Sequence, residues 1–140
     1  MKIISMILTG LLAVAGIVIG GVNMIGGLAG FAAFSDAGSL GAIEQAAGYP
    51  VIDNSTRFLG GVFVGVGLGF AYCLKEMSEK ILLLRFLLLG IFIGGIARVI
   101  GWAELGMIDS STIPPTIVEL VFPPAILLLL HFSTQKERRA

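Results

Sequence analysis

With 140 residues, 56% of them hydrophobic and 13% charged, and a mean hydropathy of +1.00, the chain is too apolar for a water-soluble domain of its size and reads as an integral membrane protein. Its nine basic and nine acidic residues cancel, and the basic ones form no stripe, which argues against a nucleic-acid partner. The lone Cys73 excludes a disulfide framework within one chain, and no Cys/His cluster has metal-ligand spacing, so no metal or other cofactor is expected.

Four apolar runs, roughly 3–28, 57–74, 81–102 and 113–132, are long enough to cross about 30 Å of hydrocarbon at a rise of about 1.5 Å per residue. The first follows Lys2 and precedes the small pair Ala32-Ala33, as a signal peptide would. Its apolar stretch far exceeds a signal core of about 7 to 15 residues, so it is expected to be retained. In the segment that follows, residues 39–48 predict a short amphipathic helix at the outer surface, with Leu40, Ile43 and Ala47 on one face and Glu44 off it. Tyr49-Pro50 is expected to end that helix, and Asp53-Asn54-Ser55 to start the second span.

The short connection from Lys75 to Lys80 makes the second and third spans antiparallel neighbours. One set of helix ends carries Lys2, Lys75, Lys80, Lys136, Arg138 and Arg139, and the opposite loops carry Asp36, Glu44, Asp53, Glu104 and Asp109. By the positive-inside rule both termini are cytoplasmic. The expected fold is therefore all-α, a single-domain four-helix transmembrane bundle.

Gly61, Gly65 and Gly69 recur at every fourth residue of the second span, Gly90 and Gly94 repeat the spacing on the third, and Gly16 and Gly20 on the first. Such stripes let another backbone approach closely, which matters in lipid, where no hydrophobic drive pulls helices together. The spacing leaves open whether these faces meet within one chain or between copies, so a homo-oligomer or a larger membrane complex is a possible partner beside membrane lipid.

Arg57 and Arg98 extend the glycine faces of their helices by one turn and should point inward. Counted from Trp102 as an interface anchor, Arg98 lies about 6 Å into the membrane, and Glu119 lies about 8 Å below Pro114. Either arginine suits Glu119, because a planar guanidinium matches a carboxylate in bidentate fashion. Asn54 and Asn23 lie near the same outer level, and Asn23 could hydrogen-bond across helices. Pro123 and Pro124 leave the carbonyls of Glu119 and Leu120 without helical donors, so a kink and a small polar pocket are expected there.

Simpler roles compete. Thr116 and Glu119 fit a capping box, Arg57 could snorkel to headgroups, and a buried ion pair can serve only to hold helix register. Asn54-Ser-Thr matches a glycosylation acceptor but also a helix cap. His131 falls at the far end of the last span, and Cys73 reads as a core thiol.

Asn54-Ser-Thr-Arg57 followed by Gly60-Gly61, then Ala97-Arg98 with Gly101, then Glu119 followed by Pro123, resembles the bacterial domain of unknown function 4345 family between Asp53 and about Phe132. That resemblance implies a small four-span membrane protein and carries no activity. In size and helix number the chain also looks like the DoxX kind of small four-helix proteins, some associated with quinone-linked oxidases, which would imply an accessory role to a quinone-linked or lipid-modifying enzyme.

No nucleophile and base accompany the charges. A non-enzymatic module binding a lipid, an apolar small molecule or a partner helix is therefore expected. The alternative is a small oligomeric transporter or proton path. Against it, Tyr72, Cys73, Arg85 and His131 make no continuous polar track in the inner half.

Overall fold

The structure, a computed structural model, describes residues 2–33, 48–106 and 110–138, with side chains for 3–33, 48–106 and 110–132. The amphipathic helix expected over 39–48 lies, apart from Gly48, outside the described residues. Among those described, the chain is all-helical and has no strand. Its elements are α1 (Lys2–Ala32), α2 (Tyr49–Lys75), α3 (Ile81–Leu105), a 3-10 turn (Ser110–Thr112) and α4 (Ile113–Arg138). Each of the four long helices is long and apolar enough to cross a membrane.

The element ends follow backbone chemistry. α2 starts at Tyr49-Pro50, ahead of the expected start at Asp53, because a proline in the first turn gives up an N–H that has no intrahelical partner there. Asp53 and Asn54 consequently sit in the second turn and not at a cap, and Asn54 is exposed. Gly106, at φ +64°, ends α3 in the left-handed conformation that glycine adopts without a steric penalty. Pro114 and Pro115 occupy the first turn of α4 for the reason Pro50 does, and the helix runs unbroken through Pro123 and Pro124.

The chain divides into two compact units. One comprises Met1–Leu12 with Gly69–Ala140, the other Ala13–Leu68. The first is packed by large side chains: Phe70, Cys73, Leu84, Leu88 and Ile126 are fully buried, and Ser5 and Thr9 of α1 join them. Its α2–α3 turn is closed by Lys80, which donates to Glu76 at 3.0 Å and stands 3.9 Å over the Tyr72 ring. The hydrogen bond to Glu76 holds the Lys80 pKa above that of an ordinary lysine.

The second unit has almost no large side chain inside. Its buried positions are Ala13, Gly16, Gly20, Gly27, Gly30, Gly60 and Gly67, while Ile25, Phe58 and Leu59 face outward. Small residues within and large apolar ones without is the distribution expected of helices packed in lipid.

Candidate functional site

α3 and α4 run antiparallel. Trp102 Nε1 donates to Thr112 Oγ1 at 3.0 Å, Arg98 Nε donates to Glu119 Oε2 at 2.8 Å, and Gly95 faces Leu120. A Cβ on Gly95 would lie 2.9 Å from Leu120 Cδ2 and 3.0 Å from Glu119 Cβ, so the absence of a side chain lets α4 close over the ion pair. Glu119 turns toward α3 and not back onto its own helix start, and Thr116 Oγ1 donates to the Thr112 carbonyl at 2.7 Å. The capping box is not formed.

With side chains 33% and 12% exposed, Arg98 and Glu119 are mostly withdrawn from solvent and neutralise each other directly. Removing one partner of a fully buried pair costs about 3–5 kcal/mol. Since Arg98 keeps a third of its surface, Glu119→Gln should cost about 1–3 kcal/mol, read as a lower melting temperature in detergent. Replacing both, as Arg98→Met with Glu119→Leu, should recover most of the loss. A Glu119→Gln protein that melts like wild type would remove the pair from the stability of the fold.

Arg57 is engaged within the other unit. α1 breaks at Gly27, whose φ of +59° and ψ of −136° lie outside the helical region. Two backbone groups there lose their helical partners and are taken up by α2. Asp53 Oδ1 accepts from the Leu28 N–H at 2.8 Å, and Arg57 Nη1 donates to the Ile25 carbonyl. Asp53 Oδ2 also accepts from Arg57 Nε at 2.8 Å, which links the donor and the acceptor one helical turn apart. The acid and the base thus complete the hydrogen bonding of a broken helix, the condition under which irregular backbone survives in hydrocarbon.

Sequence reasoning placed Asp53 only at a helix start and did not pair it with Arg57. The available signals were the spacing of four and the Gly26-Gly27 doublet. Asn23, expected to bond across helices, has a buried Oδ1 with no partner among the described residues.

The expected glycine stripes divide. A Cβ on Gly69 would lie 3.0 Å from Leu87, and one on Gly61 would make ordinary contact with Met24 Sδ at 3.8 Å. Gly65, Gly90 and Gly94 face no described atom within 4 Å. The stripe expected on α1 does make close backbone approaches, Gly16 and Gly20 lying against the Gly60 to Gly67 stretch of α2, while Gly95, outside the expected stripes, lies against the side chains of Glu119 and Leu120. In Gly94-Gly95 one member meets a neighbouring helix and the other turns away, and in Gly60-Gly61 one meets backbone and the other only the end of a side chain, a choice that spacing alone leaves open.

A third feature is a groove of about 220 Å³ between α3 and α4, lined by Arg85, Leu88, Leu89 and Phe92 on one side and Pro123, Pro124 and Leu127 on the other. The α3 residues fall at offsets of three, four and seven, one helical face. Its walls are apolar except for Arg85, which is exposed and has no acidic partner among the described residues. Sequence reasoning read Arg85 only as one of a few inner polar residues, and expected of the prolines a kink and a small polar pocket, whereas the groove they line is apolar apart from Arg85. His131 lies edge-on to Phe132 at a centroid distance of 5.9 Å, and Cys73 is fully buried.

No curated protein and no solved structure matches the chain. A family model does, over residues 4–130, so that α1 falls within the match together with the second half of the chain, where the motifs were legible. The chain belongs to the family described as a domain of unknown function, DUF4345.

Proposed function

We propose that the chain is a non-enzymatic, membrane-embedded module that holds a lipid or another apolar molecule in the groove between α3 and α4, while the Arg98–Glu119 and Arg57–Asp53 pairs hold the fold. The observation that carries this reading is the contrast between the two polar regions of those helices. Glu119 and Arg98 consume each other's charge at 2.8 Å, whereas the groove from Arg85 to Phe92 is open and apolar. Transport through Glu119 would require that acid to be free to exchange a proton or an ion, and its contact with Arg98 works against that. A module lying in a bacterial inner membrane, with its termini and the Lys75 to Lys80 turn on the cytoplasmic side, is supported by the distribution of basic and acidic residues over the helix ends.

Leu89→Trp tests the groove. Leu89 is 52% exposed, so the larger ring can fill the space without disturbing the buried core. The variant should melt like wild type in detergent and retain less co-purified lipid by native mass spectrometry. Undiminished lipid retention would refute the groove as a binding site.

A further inference from the structure

We infer that Arg85 makes this groove selective for an anionic phospholipid, whose phosphate pairs with the guanidinium while one acyl chain lies along Leu88, Leu89 and Phe92. The inference rests on the groove reading above and adds the headgroup chemistry.

Three arginines have described side chains. Arg57 pairs with Asp53 and Arg98 with Glu119, and Arg85 has no acid among the described residues. The nearby cation of the same helix end, Lys80, is already held by Glu76 at 3.0 Å and by the Tyr72 ring. Arg85 stands four residues into α3, about 6 Å from the helix start, a depth from which its long side chain reaches the headgroup layer. A cation at that depth is stabilised by a counterion, and a guanidinium matches phosphate oxygens in a bidentate fork.

The register fixes which way the ligand runs. Arg98 at Glu119 and Trp102 at Thr112 mark the opposite end of the α3–α4 pair, so the groove leads from Arg85 toward the interior of the helix pair, reaching Phe92 about 10 Å further along. Its 220 Å³ exceeds a cavity of about 150 Å³ that takes benzene and falls short of the roughly 300 Å³ at which whole drug-sized ligands fit. That space suits a length of one acyl chain with the headgroup left outside, at Arg85. An uncharged amphiphile would fill the groove and leave the arginine without a counterion.

The test uses the full chain in detergent micelles doped with equal amounts of dioleoyl phosphatidylglycerol and dioleoyl phosphatidylcholine, with retained lipid counted by native mass spectrometry. Wild type should retain the anionic lipid about fivefold over the zwitterionic one, the effect of one basic residue near a membrane surface. Arg85→Gln and Arg85→Met should both bring the ratio near unity, and Arg85→Lys should keep much of the preference. Millimolar inorganic phosphate should leave the ratio unchanged, and displacement of phosphatidylglycerol by it would move the site to free phosphate and overturn the lipid assignment.

Equal retention of the two lipids by wild type, or an unaltered preference in both Arg85→Gln and Arg85→Met, overturns the headgroup inference. So does a dimer whose formation excludes lipid, since a second copy would then occupy the groove. These outcomes are separable from failure of the groove itself, which is read from Leu89→Trp: that variant should lower retention of both lipids together.

Discussion

Gly67→Ala is expected to destabilise the protein severely, although it adds a single methyl group. The new Cβ would lie 2.7 Å from the Ile17 nitrogen and 2.8 Å from the Ala13 carbonyl oxygen, both backbone atoms of α1. Side chains can swing away from such a collision, but two helix backbones relieve it only by separating. Separation would also open the contacts at Gly20 and Gly16, where an added Cβ would lie 2.7 Å from the Gly60 carbonyl oxygen and 3.0 Å from that of Phe63, since they share the same helix pair. Overpacking typically costs about 1–3 kcal/mol, and a backbone collision belongs at or above the top of that range.

The control is Gly65→Ala, two residues away on the same helix and facing no described atom within 4 Å. There the methyl meets open space and alanine is the better helix former by about 1 kcal/mol, so the variant should be neutral or slightly stabilised. Thermal melts in detergent distinguish the two. Equal melting temperatures for Gly67→Ala and Gly65→Ala would mean that α1 and α2 are not in backbone contact. A loss in Gly65→Ala that grows on dilution would put that face between copies of the chain.

Gly27→Ala carries the second large effect, for a different reason. At φ +59° and ψ −136° an L side chain is strained wherever it points, a cost of about 1–3 kcal/mol by itself. Here the Cβ would in addition fall on the Asp53 carboxylate, with Arg57 Nε 2.9 Å away. To make room, Asp53 has to release the Leu28 N–H, and it then no longer positions Arg57 toward the Ile25 carbonyl. Strain and two lost backbone partners together should bring Gly27→Ala to the limit of folding.

Asp53→Ala by itself should lower the melting temperature, since it leaves the Leu28 N–H and the Arg57 guanidinium without their acceptor. Gly27→Ala combined with Asp53→Ala should then cost clearly less than the sum of the two, because the carboxylate that Cβ meets is gone. Additive losses in the double-mutant cycle would show that Asp53 does not occupy the break in α1. Amide exchange offers a separate readout, since the Leu28 N–H should exchange faster in Asp53→Ala than in wild type.

Glu119→Gln, in contrast, affects a pair that has exchanged water for a single partner across two helices. Its expected cost is smaller because Arg98 keeps partial access to solvent. The two ion pairs therefore differ in kind. Arg98 and Glu119 tie neighbouring helices, whereas Asp53 and Arg57 repair the hydrogen bonding of a helix that glycine has allowed to break.

Hydropathy, residue spacing and short motifs were enough to read four helices long and apolar enough to span a membrane, a short turn between α2 and α3, and the family. Each of these follows from local properties, namely the length of an apolar run, the position of a proline or the order of short motifs. Arg98 with Glu119 was legible for a related reason, since depth can be counted along a helix at about 1.5 Å per residue and opposite charges at one depth attract.

Three matters were decided only by the tertiary structure. Which arginine takes which acid depends on the rotation of each helix about its axis, and that rotation gave Glu119 to Arg98 and Asp53 to Arg57. Which glycine of each doublet makes the close approach depends on the same angle, because adjacent residues point about 100° apart, and packing selected Gly60 over Gly61 and Gly95 over Gly94. The break at Gly27 needed both helices at once. A glycine in an apolar run is compatible with continued helix, and it becomes a break only where a carboxylate and a guanidinium from α2 replace the hydrogen bonds that α1 gives up.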